Sequence, residues 1–215
     1  MSSADAAPDR RRSYHHGSLR TALIDAGIAL AREGGPDAVI LREAARTAGV
    51  SHSAAYRHFA DREALLAEVS RHARAELATQ MRQGIAAAPD PLTRLGAVGT
   101  AYINFALSQP GLFRTAFKSH PTHENHDTPT TSELDPDTAE PYEILSQVLD
   151  QAQSAGLLDP ARRLGAPLAA WSAVHGLANL LIDGPLPTTP AEVDFALNQV
   201  LELVARGLLK QPPAG

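Results

Sequence analysis

Helix-starting signals that pair a capping acceptor with proline recur at intervals of helical length, and they constrain this chain more than any other feature. Asp90-Pro91 and Asp159-Pro160 each set a carboxylate before a proline at the first helical position, where the missing N–H does no harm. Thr189-Pro190-Ala191-Glu192 adds a capping box, in which the Thr189 hydroxyl and the Glu192 carboxylate would each satisfy an orphan backbone donor. Gly34-Gly35-Pro36, Gly156 and Gly184-Pro185 mark helix ends. These marks predict helices near 18–34, 41–48, 52–58, 61–85, 91–108, 110–118, 138–155, 160–183 and 190–210. No segment alternates with period two, so the expected fold class is all-α, with about nine helices and no sheet.

Hydrophobic residues make up 44% of the chain but aromatic residues only 5%, which leaves alanine and leucine to fill a helical core. No breaker-free apolar run of about 18 residues is present, and the opening Ser2, Ser3, Asp5 and Pro8 lack the apolar segment of a secretory signal. A cytoplasmic protein with no membrane partner is expected. The absence of cysteine excludes disulfides, thiol catalysis and cysteine-ligated zinc. The net charge of -5 is unevenly divided: residues 1–75 carry 11 arginines against nine acids, a net +2, and the remainder eight bases against 15 acids, a net -7. A basic head on an acidic body suits a protein that lays one small module on a polyanion.

Within that head, Leu41 to Phe59 is the most informative span. Ala45 and Gly49 stand four apart, which lets two short helices approach closely, and Gly49 can take the left-handed conformation that ends the first. Ser51 then caps the second. Ala44, Ala48, Val50 and Ala55 supply small apolar contacts, while His52, Ser53, Tyr56, Arg57 and His58 face outward, able to bond bases and phosphates. An ordinary helical hairpin with a solvated face would carry the same pattern.

Three further clusters decide between these readings: Tyr14-His15-His16-Gly17, Tyr56-Arg57-His58-Phe59 and Asp61-Arg62-Glu63-Ala64-Leu65-Leu66. With Leu41-Arg42-Glu43-Ala44-Ala45 and Gly49-Val50-Ser51, they resemble, without a gap over about residues 14–70, the DNA-binding domain of the TetR family of bacterial regulators. The resemblance implies a three-helix helix-turn-helix domain whose third helix enters the major groove, in a dimer that spaces two such helices about one DNA turn apart. It assigns His52, Ser53, Tyr56 and Arg57 to the groove and Arg42, His58 and Arg62 to phosphates, with Ser51, at the start of the recognition helix, also among the DNA-binding residues. Ile40 departs from the family pattern where a Ser or Thr often caps the second helix, and Arg62 replaces a common lysine. On this reading residues 1–13 form a flexible arm, 14–62 the DNA-binding domain, and 63–211 a helical regulatory and dimerisation domain. Arg10-Arg11-Arg12 is either an arm that reaches the DNA backbone or minor groove, or a solvated tail.

In the body, Trp171-x3-His175-Gly176 and the Tyr-His-His-Gly start resemble a TetR subgroup named for its Trp, His and Gly residues. His175 is either a satisfied core histidine or a ligand contact. The last two helices carry too much apolar surface for a monomer: Leu164, Leu168, Val174, Leu177, Leu181 and Ile182, then Val193, Leu197, Val200, Leu201, Val204 and Leu208. The family resemblance implies that they form a two-fold four-helix bundle, so that a homodimer reads a near-palindromic double-stranded operator. Tyr102, Phe105, Phe113 and Phe117 fall on segments that line the family's inducer pocket, with Trp171 and His175 beside them, although plain core would use the same residue types.

The resulting expectation is a transcriptional regulator, a repressor released from DNA by a small-molecule ligand, with no catalytic residue, cofactor or metal. No Gly-x-Ser-x-Gly, Walker loop, dinucleotide fingerprint or His-Glu-x-x-His occurs. The alternatives are a helical scaffold that binds only protein, and a metal-dependent enzyme using His120, His123 and His126, which Pro121 keeps from sharing a helix.

Overall fold

The computed structural model describes residues 10–118 and 139–209, with side chains for 19–118 and 140–209. Nine α-helices appear among them: α1 (Arg10–Gly34), α2 (Leu41–Thr47), α3 (His52–Ala55), α4 (Arg62–Ala87), α5 (Pro91–Ser108), α6 (Pro110–Ala116), α7 (Ala139–Ser154), α8 (Ala166–Ile182) and α9 (Pro190–Leu208). One isolated bridge pairs Leu158 with Leu209, and no strand forms among the described residues. The all-α expectation holds. None of the described helices is long and apolar enough to cross a membrane.

Local chemistry explains most boundaries. Asp90 caps α5 through a complete capping box, accepting from the Leu92 and Thr93 amides while the Thr93 hydroxyl accepts from the Asp90 amide. Asp61 caps α4 by accepting from the Ala64 amide at 2.8 Å.

Three sequence expectations need correction. α1 begins at Arg10 rather than near residue 18, since no proline interrupts the arginine-rich run after Pro8. Asp159-Pro160 starts only the single 3-10 turn Pro160–Arg162, and α8 waits until Ala166. Between them, Arg163 reaches back to Asp150 and to the Ser146 carbonyl on α7, and Gly165 is a poor helix former. The Thr189 capping box does not form, because the Thr189 hydroxyl and the Glu192 carboxylate bond to each other and neither reaches the backbone.

α4 organises the fold. Its 26 residues run roughly 39 Å, at 1.5 Å per residue, so one helix belongs to both head and body. Leu65, Leu66, Val69, Ser70, Ala73, Arg74, Leu77, Ala78 and Met81 form a buried stripe at three- and four-residue spacing along it. The beginning of the stripe packs on α1, and the rest meets α5, α6 and α7. Two buried polar members grip the end of α6: the Ser70 hydroxyl donates to the Thr115 carbonyl at 2.7 Å, and the Arg74 guanidinium to the Ala116 carbonyl at 2.9 Å. α6 also presses on α1, where a methyl group on Gly111 would run into the carbonyl oxygens of Ala31 and Arg32. α5, α7, α8 and α9 complete the body.

Candidate nucleic-acid interface and ligand cavity

The α2–α3 corner is fixed by its backbone. Gly49, at φ 69°, turns the chain so that the Gly49 amide donates to Arg46 and the Val50 amide to Ala45, a Schellman termination of α2. Ser51 then caps α3, its hydroxyl accepting from the Ala54 amide at 3.2 Å. Leu41, Ala44, Ala45, Ala55 and Phe59 are buried beneath the corner, where α2 packs on both α1 and α3 over a shared apolar base. The outer face carries His52, Ser53, Tyr56 and Arg57, all exposed, with Arg42 exposed on α2 and His58 half-buried. Tyr56 is 49% exposed, and its ring meets that of His52 edge-on at 4.7 Å.

Arg62 occupies a different setting. Its guanidinium donates to the Pro36 carbonyl and to Glu63, both at 2.6 Å, and lies 3.9 Å from Asp37. It ties the start of α4 to the 3-10 turn Pro36–Ala38. Lys118, just past α6, holds Asp37 from the other side at 2.5 Å. The Lys118 bond keeps the Asp37 carboxyl below the ordinary carboxylate range. Sequence reasoning missed this bridge, because Asp37 and Lys118 lie far apart in the chain.

A second site lies in the body, where α4, α5, α7, α8 and α9 enclose a cavity of about 460 Å³. That volume is in the range of small-molecule sites. Of the aromatic residues singled out in the sequence, Tyr102, Phe117 and Trp171 line it, and Phe105 and Phe113 do not. Phe113 is enclosed by the rings of Tyr102, Phe117 and His175 at 5.4, 5.2 and 5.5 Å, and Phe105 is fully buried on α5, so neither ring reaches the opening. Leu92, Leu95, Tyr142, Leu145 and Glu202 complete much of the wall, and no motif in the sequence marked them; Leu201, read above as part of the apolar surface of the last two helices, lines it too.

Behind the wall, the Trp171 indole donates to the Tyr102 oxygen at 3.0 Å, and that hydroxyl lies 2.8 Å from His175 Nδ1. Indole can only donate, so the arrangement that satisfies all three groups has Tyr102 donating to an unprotonated Nδ1, with the imidazole proton on Nε2. Burial raises the Tyr102 pKa far above its usual value, and burial lowers that of His175. Phe113 and Phe117 rings lie 5.5 and 5.1 Å from the imidazole. His175 is thus a bonded histidine just behind the cavity rather than part of its wall.

On α8 and α9, Val174, Leu177, Leu181, Val193, Leu197 and Leu208 are buried inside the chain, so only the rest of the apolar area of these helices is left to meet a partner. The large apolar residues left exposed there are Leu168 and Leu180 on α8, Phe195 (67%) and Leu203 (70%) on α9, with Leu164 (89%) just before α8. A groove between the two helices, lined by Leu180, Leu186, Phe195 and Val200, continues this surface. His120, His123 and His126 lie outside the described residues. Among the described residues no group of three or more His, Asp or Glu is placed to hold a metal.

The family model for bacterial regulatory proteins of the TetR family matches residues 23–69, and that for the tetracyclin repressor-like C-terminal domain matches residues 95–204. No curated protein sequence matches. Among solved structures, a protein of unknown function from Rhodococcus sp. RHA1 is 28% identical, with a TM-score of 0.73 over 94% of this chain and 100% of that one. A TetR family transcription regulator from Marinobacter aquaeolei VT8 is 19% identical, with a TM-score of 0.62 over 93% and 100% of the two chains. The fatty acid degradation regulator FadR from Bacillus halodurans is 15% identical, at 0.64 over 88% and 95%. With both its helix-turn-helix and its C-terminal body matched, the chain belongs to the TetR family of DNA-binding transcriptional regulators.

Proposed function

We propose that the protein is a cytoplasmic, non-enzymatic homodimeric repressor that a small molecule releases from a near-palindromic operator. The observation that carries the DNA half is the rigid α2–α3 corner, capped at Gly49 and Ser51, which projects His52, Ser53, Tyr56 and Arg57 from an apolar base. These side chains read base edges, while Arg42, His58 and, in part, Arg62 hold phosphates. Residues 14–62 act as the reading head and 63–211 as the regulatory body, while residues 10–13 of the expected arm belong to α1. The cavity supports ligand control, and the exposed Leu168, Leu180, Phe195 and Leu203 support pairing through α8 and α9. The Trp171, His175 and Gly176 set favours the subgroup it resembles.

Sequencing of the DNA fragments that the full-length protein selects from its source genome tests this reading. A two-fold symmetric site is expected, with half-sites about one helical turn apart and an affinity that falls steeply with salt. Equal binding to all sequences would leave the corner a solvated hairpin.

A further inference from the structure

We propose that the ligand is an apolar molecule that is uncharged or positively charged, and that the cavity discriminates against organic acids. The inference rests on the reading of the cavity as the ligand site, and it names the chemistry that site accepts. Among the described residues the wall contains no lysine, arginine or histidine, and its one ionisable acid is Glu202. A carboxylate moved from water into such a wall loses hydration without gaining a counter-charge. Arg206, one turn along α9 and outside the wall, is engaged by Glu202 at 2.5 Å.

Hydrogen bonding points the same way. An acid could still be held by several directed donors, but the strong donors here are turned on one another. Trp171 gives its only N–H to Tyr102, and Tyr102 gives its only O–H to His175. The Tyr142 hydroxyl and the Asn198 amide remain as neutral donors, enough to orient an alcohol, ketone or amide. An amine or quaternary ammonium would find the rings of Phe117, Tyr142 and Trp171, which are suited to a cation, beside a Glu202 carboxylate already paired with Arg206. Residues 119–138, which join α6 to α7, contain five acids and neither lysine nor arginine, so they offer no permanent cation either.

The test uses the full-length protein at pH 7.5 and two matched sets of probes: 4-tert-butylbenzyl alcohol, 4-tert-butylbenzylamine and 4-tert-butylbenzoate, then decan-1-ol, decyltrimethylammonium and decanoate. Trp171 is the only tryptophan, so its emission reports on the wall directly, and thermal shift gives a second readout. The alcohol and the cation of at least one set should bind about tenfold or more tighter than the matching acid. Asn198→Lys, an exposed substitution that supplies the missing cation, should close most of that gap. Acids that bind as well as or better than their partners would overturn the proposed chemistry and leave the cavity a ligand site. An Asn198→Lys variant that keeps the full gap would also overturn it, since the missing cation would not be its cause. If no probe changes emission or melting temperature, the cavity is not a ligand site, and this inference falls with the reading beneath it.

Discussion

Tyr56 and Arg62 separate two duties at the level of single side chains. Tyr56 is exposed on a capped turn, so Tyr56→Ala should leave the melting temperature nearly unchanged and reduce discrimination between operator and non-operator DNA by about 1–3 kcal/mol. Competition binding with two DNA sequences measures this. Arg62→Ala removes the bond to the Pro36 carbonyl, and it should weaken binding to all sequences alike while lowering fold stability by about 1 kcal/mol. Denaturant unfolding separates that loss from the DNA contact. In the body, burial holds the His175 pKa below its ordinary value near 6.5, so the unfolded chain binds this proton more readily than the folded one. The consequence is stability that falls as pH drops through 6.5 toward the lower folded-state value. His175→Gln should flatten this part of the profile, as thermal melts between pH 8 and pH 5 would show.

α6 is short, seven residues, yet it touches every part whose movement matters. Its start presses on α1 at Gly111, its last carbonyls are gripped by Ser70 and Arg74 of α4, and Arg114 holds Asp183 at the end of α8 with a two-nitrogen contact. Immediately after it, Phe117 enters the cavity wall and Lys118 holds Asp37, which faces Arg62 at the head of α4. A ligand that displaces Phe117 therefore acts one residue from an ionic link to the DNA-binding head. Lys118→Ala should leave the melting temperature close to wild type, because both partners are solvent-accessible, but should change the ratio of operator affinities with and without ligand. Titrations of operator DNA at both ligand conditions read that ratio directly. Gly111→Ala should act differently: the added methyl meets backbone oxygens that cannot rotate away, so overpacking should cost about 1–3 kcal/mol, visible as an earlier unfolding midpoint.

For the whole molecule, pairing depends on which apolar residues the chain does not use itself. Leu197 is buried within the chain and Leu201 packs on Gly99 beside the cavity, so a charge at either should disturb the fold as well as any dimer. Phe195→Glu and Leu203→Glu place the charge on the exposed face instead. Both should yield a helical monomer that no longer binds a two-half-site operator, judged by sedimentation at micromolar concentration together with circular dichroism. A wild-type monomer under the same conditions would remove the α8–α9 face as the interface.

Periodicity and punctuation determined the helices, because capping and left-handed turns act within a few residues: Asp90, Gly49 and Ser51 behave as their local chemistry dictates. The α2–α3 corner was legible for the same reason, since its turn and its outward face lie within one short span, but reading it as a helix-turn-helix took the family resemblance of the clusters around it. Where local signals competed with distant partners, tertiary structure decided. Arg163 bonds to α7, and α8 starts later than Asp159-Pro160 suggests. The cavity was only half visible: Tyr102, Phe117 and Trp171 could be guessed from type and spacing, but Phe105 and Phe113 are of the same type, and only the side chains packed around them make them core. The same holds on α9, where Leu197 and Leu203 are both leucines of an apolar helix, one buried and one exposed. Composition along a helix states how much apolar surface must be covered, whereas the packing of the other helices fixes which residues the chain covers itself and which it leaves for a second copy or a ligand.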